Sequence, residues 1–161
     1  MYLCTGAPLQ GSQLHKLKSF LLACHLEYDA GIRFTALMME DDEIIATGSL
    51  DGNTIKCVAV SPAYQGEDLT AKILTVLYQE AARQGLDHLM LYTKPRNQYL
   101  FASLGFHPVI RTADVLLMEN RRGGLADYLT ALEKPTDDNA PVGCIVANAN
   151  PDTTTPLSLS V

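Results

Sequence analysis

The order of strand-like and helix-like segments predicts an α+β (mixed α/β) domain, with one central mixed sheet of about six to seven strands flanked by helices. Two observations carry this reading. Three β-type runs come first, parted by tight-turn signals, as in an antiparallel meander. An amphipathic helix, a strand, a short helix and two more strands then follow in succession. The chain has 161 residues, 47% of them hydrophobic and 19% charged, enough for one domain with a sizeable core and too apolar for wholesale disorder.

Taken in order, Leu14, Leu17, Lys18, Leu21 and Leu22 set a helical stripe that continues to about Tyr28. Ile32 to Met39 and Glu43 to Leu50 read as strands, and the Asp41-Asp42 step between them suits a hairpin turn. Asp51-Gly52 signals another turn before a third strand, Thr54 to Val60, which Pro62 stops. Leu69, Ile73, Leu74, Val76, Leu77 and Ala81 then line one face of a helix that runs to Gly85. His88 to Thr93 reads as a strand and Gln98 to Leu104 as a short helix ending at Gly105. Phe106 to Ile110 and Val115 to Met118 complete the strands, and Leu125 to Leu132 makes a closing helix. Composition shifts near Lys134, so residues 1–134 form the body. Residues 135–141 read as a linker, and 142–161 as one β-type run, Val142 to Ala147, followed by a polar tail.

Composition narrows the partners. Twelve Lys+Arg against eighteen Asp+Glu leave a net charge of −6, which disfavours nucleic acid and anionic membranes because phosphate contacts need clustered cations. No apolar run approaches the ~20 residues of a membrane span. Met1 to Gly11 shows no secretory signal, and a cytoplasmic location is expected. Cys4, Cys24, Cys57 and Cys144 form no C-x-x-C pair, and the four histidines show no metal-ligand spacing, so no metal site is expected.

The segment that carries chemistry runs from Val58 to Thr70. A buried strand stops at a proline, a Gly-containing turn follows, and a helix starts at once. Such a turn aims free backbone N–H groups and the positive end of a helix dipole at one spot, an arrangement suited to phosphate. Downstream, Asn97, Phe101, Leu104, Gly105 and Phe106 have the spacing N-x-x-x-F-x-x-L-G-F. Together these pieces resemble the GNAT acyl-CoA-binding family over about Ile32 to Ile110. The resemblance implies that Val58, Ala59 and Val60, on a splayed strand, hold a pantetheine arm. It places pyrophosphate at the amides of Gln65, Gly66, Glu67, Asp68, Leu69 and Thr70, with Asn97 and Phe101 flanking the pantetheine end.

Further residues narrow the match. Ile55 to Val60, Tyr64-Gln65-Gly66-Glu67, Tyr92-Thr93-Lys94-Pro95 and Leu104-Gly105-Phe106 look like the N-terminal domain of the citrate lyase ligase family. Val142 to Pro151 resembles the opening strand of that family's nucleotidyltransferase domain. The resemblance implies a role in the ATP-dependent acetylation of citrate lyase. The ligand would then be CoA, acetyl-CoA or the CoA-like prosthetic arm, and the partner the acyl carrier subunit of citrate lyase. The family's H-x-G-H-type ATP motif does not follow Pro151, so the resemblance implies ATP use only with a second domain supplied, as for a truncated or frame-altered ligase or a stand-alone remnant of one.

Two more departures bear on chemistry. Asp68 stands where the GNAT turn wants its second glycine, and Thr70 where it wants Gly or Ala. A carboxylate ~5 Å from a phosphate, at an effective dielectric of ~20, costs about 3 kcal/mol before solvent screening, so weak CoA binding is expected. An Asp68 that turns outward and caps the helix is the benign alternative. Many GNAT acetyltransferases place a proton-donating tyrosine where this chain has Phe101. Tyr99 faces away on the same helix, Tyr64 and Tyr92 lack positional support, and none of Glu40, Glu43 and Glu119 is marked out as a base, so no catalytic residue is assigned. Cys57 reads as a small core residue, since strand alternation sends its neighbour Lys56 to the opposite face. Two other readings remain at this level: a stand-alone acetyl-CoA-dependent N-acetyltransferase, and a non-catalytic structural or interaction domain.

Overall fold

A computed structural model describes residues 1–133. The linker, the β-type run from Val142 to Ala147 and the polar tail named above lie outside the described residues. Seven strands form one sheet: β1 (Tyr2–Gly6), β2 (Phe34–Glu40), β3 (Glu43–Asp51), β4 (Thr54–Val60), β5 (Met90–Thr93), β6 (His107–Arg111) and β7 (Leu116–Glu119). Their spatial order is β1-β2-β3-β4-β5-β7-β6. Among the described residues only β4 and β5 are parallel neighbours, so the sheet is mixed as the sequence predicts. The helices are α1 (Gly11–Ala23), α2 (Leu69–Arg83), α3 (Gln98–Ser103) and α4 (Gly124–Leu132).

Strand β1 is absent from the sequence reading. Its five residues, Tyr-Leu-Cys-Thr-Gly, are mostly exposed, because an edge strand needs no continuous apolar pattern. The first helix ends at Ala23 rather than Tyr28. Cys24 and His25 donate back to carbonyls of the last turn, and His25 takes a positive φ of 61°. The residues from there to Arg33 form a connecting loop. The β2–β3 hairpin turns on Asp41 and Asp42 with φ of 47° and 65°, the paired left-handed geometry that suits right-twisted strands.

The sheet buries both faces. On one, Ile73, Leu74 and Leu77 of α2 pack over Ile55, Val58, Leu91 and Phe106. On the other, Leu17 and Leu21 of α1 pack over Leu37, Met39, Ile44 and Cys57. Each fully buried leucine or isoleucine contributes about 1.5–3 kcal/mol by transfer from water. Gly48 marks the closest approach of α2 to the sheet: a Cβ there would lie 2.5 Å from Ile73 Cγ2 and 3.1 Å from Leu77 Cδ1.

Opposite Gly48 the ladder slips. Thr47 pairs with Ala59 but Ser49 with Lys56, so Cys57 and Val58 together face one residue. This is a β-bulge, and within it Cys57 sits at a left-handed φ of 54°. The bulge overturns the alternation expected of Lys56 and Cys57. Both reach the same loop after α1: Lys56 Nζ donates to Asp29 Oδ2 at 2.5 Å, and Cys57 Sγ to the Glu27 carbonyl at 3.4 Å.

Candidate functional site

The parallel pairing of β4 and β5 is short. Thr54 is opposite Met90 and Ile55 opposite Leu91, and there the pairing ends, although β4 continues to Val60. Beyond Ile55, β4 therefore has no ladder partner on its β5 side, and a V-shaped opening begins. Val58 is buried against the α2 core, whereas Ala59 and Val60 are half-buried at the rim. The free edge offers backbone donors and acceptors to an extended ligand, as a missing strand would.

Where β4 ends, Ser61 N donates to the Ile45 carbonyl and anchors a short 3-10 turn, Pro62–Tyr64. Gln65, Gly66, Glu67 and Asp68 follow, all exposed, with Gly66 at φ 93°. Helix α2 then starts at buried Leu69 and half-buried Thr70. Its N-terminus has no side-chain cap and no acidic residue in its first turn. No side chain therefore caps the opening amides of α2, and the positive end of its dipole lies next in the chain to the end of the open β4 edge. Asp68 holds the N-cap position without capping the helix, so the benign alternative raised from the sequence does not hold. It sits at φ 56°, a conformation glycine adopts freely, and its carboxylate makes no capping hydrogen bond.

The remaining predicted residues divide. Asn97 is half-buried just after β5, and its Nδ2 donates to Thr93 Oγ1 at 2.9 Å. Phe101 lies wholly in the core, edge-on to Phe106 with ring centroids 6.2 Å apart, so its ring has no surface for a ligand. It supports α3 from beneath.

The acid and base candidates are mostly engaged. Tyr64 Oη donates to Glu40 Oε2 at 2.5 Å, a bond that pushes the phenol's pKa up. Tyr99 is 91% exposed on the outer face of α3. Glu119 is buried and structural: a hydrogen bond joins it to His88 Nε2 at 2.8 Å, and it accepts from the amides of Gly123 and Leu125 at 3.0 and 2.8 Å. A cleft of about 480 Å³ opens between the end of α1 and the β2–β3 hairpin, but Glu40, Asp41 and Glu43 make it unfit for phosphate. Among the described residues no group of three or more His, Cys, Asp and Glu is placed to hold a metal ion, and no helix is long and apolar enough to cross a membrane.

Cys57 is inert. Burial pushes its thiol up to about 12, against which the Lys56 ammonium pulls only weakly. At pH 8 the native protein should therefore alkylate Cys57 about a thousandfold more slowly than the denatured chain, because only the thiolate reacts. Mass-spectrometric mapping of iodoacetamide adducts checks this, and equal labelling in the two states would refute it.

A sheet opened between two parallel strands, with an uncapped helix at the end of the opening, is an acyltransferase scaffold. The profile of the acetyltransferase (GNAT) family matches residues 8–106, and the chain belongs to that family. Within it, the chain is 36% identical over 135 residues to the citrate lyase ligase of Klebsiella pneumoniae, covering 83% of this chain and 40% of the relative. It is 34% identical over 145 residues to the corresponding ligase of Escherichia coli K12, covering 89% and 41%. The chain thus spans about two fifths of the length of the curated relatives it matches. The fold is shared with Escherichia coli ElaA, at a TM-score of 0.67 and 19% identity over 75% of this chain and all of that one. It is also shared with N-acetylglutamate synthase from Neisseria gonorrhoeae, solved with coenzyme A and N-acetyl-glutamate, at a TM-score of 0.58 and 14% identity over 75% and 35%.

Proposed function

We propose that this domain binds a CoA-type thiol or thioester, with pantetheine along the β4 edge at Val58, Ala59 and Val60 and pyrophosphate over the amides of Gln65 to Thr70. The observation that carries the reading is the continuity of the open β4 edge with the uncapped start of α2. Backbone hydrogen bonds suit the amide-rich arm, and the helix terminus suits the anionic diphosphate. The relatives' name adds the setting: in a longer ligase acting on citrate lyase, the ligand is the CoA-like prosthetic arm of the acyl carrier subunit. The domain holds that arm while a further domain supplies the acetyl group with ATP. No proton donor stands where Phe101 does, which fits a holding role.

Calorimetric titration with CoA, acetyl-CoA and the arm-bearing carrier subunit tests the reading. Saturable, weak binding of CoA and acetyl-CoA is expected, with neither consumed when amines are added. No heat with any of the three would overturn it.

A further inference from the structure

We propose that Tyr92 is the side chain that meets the sulfur end of the bound ligand, its phenol donating a hydrogen bond to the thiol or thioester. This rests on the CoA-type reading above and deepens it.

The argument starts at the vertex of the opening. The last parallel pair is Ile55 with Leu91, so the next residues on the two diverging strands are Lys56 and Tyr92. Leu91 belongs to the core beneath α2, and alternation along β5 sends Tyr92 to the other face. Lys56 reaches that same side, where Asp29 Oδ2 and Asp51 Oδ2 hold its ammonium at 2.5 and 2.8 Å. An arm anchored by its diphosphate at α2 and laid along β4 runs from Val60 back toward Lys56. At about 3.3 Å per residue that is about 13 Å, on the scale of an extended pantetheine chain. Its sulfur therefore arrives at the vertex.

Of the polar side chains there, Tyr92 alone lacks a hydrogen-bond partner among the described residues. Lys56 is taken by two carboxylates, and Cys57 Sγ donates to the Glu27 carbonyl. The Tyr92 ring is half-buried, and a phenol so placed ordinarily finds a partner. Burial raises its pKa and outweighs the opposing pull of Lys56, so the phenol keeps its proton and can donate. Tyr64, the other tyrosine near the site, already donates to Glu40.

The test compares CoA, desulfo-CoA and adenosine 3′-phosphate 5′-diphosphate, which keeps the diphosphate but lacks the arm. Tyr92→Phe should bind CoA about five- to tenfold more weakly than wild type, with desulfo-CoA and the arm-free nucleotide unchanged. Tyr92→Trp, which fills the vertex, should lose both arm-bearing ligands by tenfold or more and retain the nucleotide, and that retention also reports an intact fold. Unchanged CoA affinity in Tyr92→Phe would overturn the role of Tyr92 and leave the binding site standing. Equal losses for CoA and desulfo-CoA in that variant would also overturn it, because the sulfur would not be what the phenol senses. If wild type bound none of the three ligands, the site reading itself would fall, and this inference with it.

Discussion

Glu119→Ala is expected to destabilise the domain by about 3–5 kcal/mol. The carboxylate is 5% exposed and serves three partners: the His88 ring and the amides of Gly123 and Leu125. The two amides belong to the start of α4, whose N-terminus has no other side-chain cap. Truncation leaves the buried His88 ring nitrogen without a partner, at about 1–3 kcal/mol, and takes the acceptor from two part-buried amides, at about 0.5–1.5 kcal/mol each. No packing gain compensates, because His88 already presses on Gly124, where a Cβ would collide with the imidazole. Glu119→Gln keeps one acceptor oxygen and should cost about 1–2 kcal/mol. Urea melts of the three proteins check this, and an Ala variant as stable as wild type would show that the network contributes nothing.

The second large effect is on affinity. Asp68→Gly should tighten CoA binding about tenfold while changing stability by no more than about 1 kcal/mol. Three local terms act on the fold and nearly cancel. Glycine relieves the left-handed φ of 56°, a gain of about 1 kcal/mol or more. It also loosens the unfolded chain, and it forfeits a favourable charge at the helix N-terminus, each worth a few tenths to about 1 kcal/mol. For the ligand all the changes point one way, because repulsion between carboxylate and diphosphate disappears and the backbone can approach. The ~3 kcal/mol unscreened repulsion shrinks because Asp68 is exposed, and about 1.4 kcal/mol, a factor of ten, is what remains. Parallel titrations of the two proteins measure it. Equal affinities would mean that the diphosphate does not lie over this turn.

Much of this architecture is legible from residues. The Asp41-Asp42 turn, the strand from Thr54 to Val60 and the helix opening at Leu69 are where pattern and turn chemistry place them. The turn from β4 into α2 is equally visible, because proline, glycine and an apolar helix stripe follow one another within a dozen residues. What escapes the sequence is set by pairing between distant segments. Strand β1 exists only because β2 offers it an edge, and nothing in Tyr2–Gly6 announces that. The bulge at Cys57 follows from the register of β3 against β4, which brings Lys56 to the loop that also receives Cys57. Tyr92 is visible in the sequence but has no positional support there for the same reason, since only the parallel register with β4 shows that it stands one step past the last pair. Phe101 is the converse: its motif spacing suggests a ligand contact, and packing against Phe106 claims it for the core.

The tight seat of α2 at Gly48 bears on how ligands are held. Ile73 and Leu77 can sit this close to the sheet only because residue 48 has no side chain, and the bulged stretch of β4 lies directly across the same ladder step. The helix and the strand proposed to hold the diphosphate and the arm are therefore packed tightly against one another in the fold itself. Their relative freedom is already gone before a ligand arrives, so association costs little reorganisation on the protein side. Preorganisation of this kind makes affinity a readout of charge and contact in the groove alone.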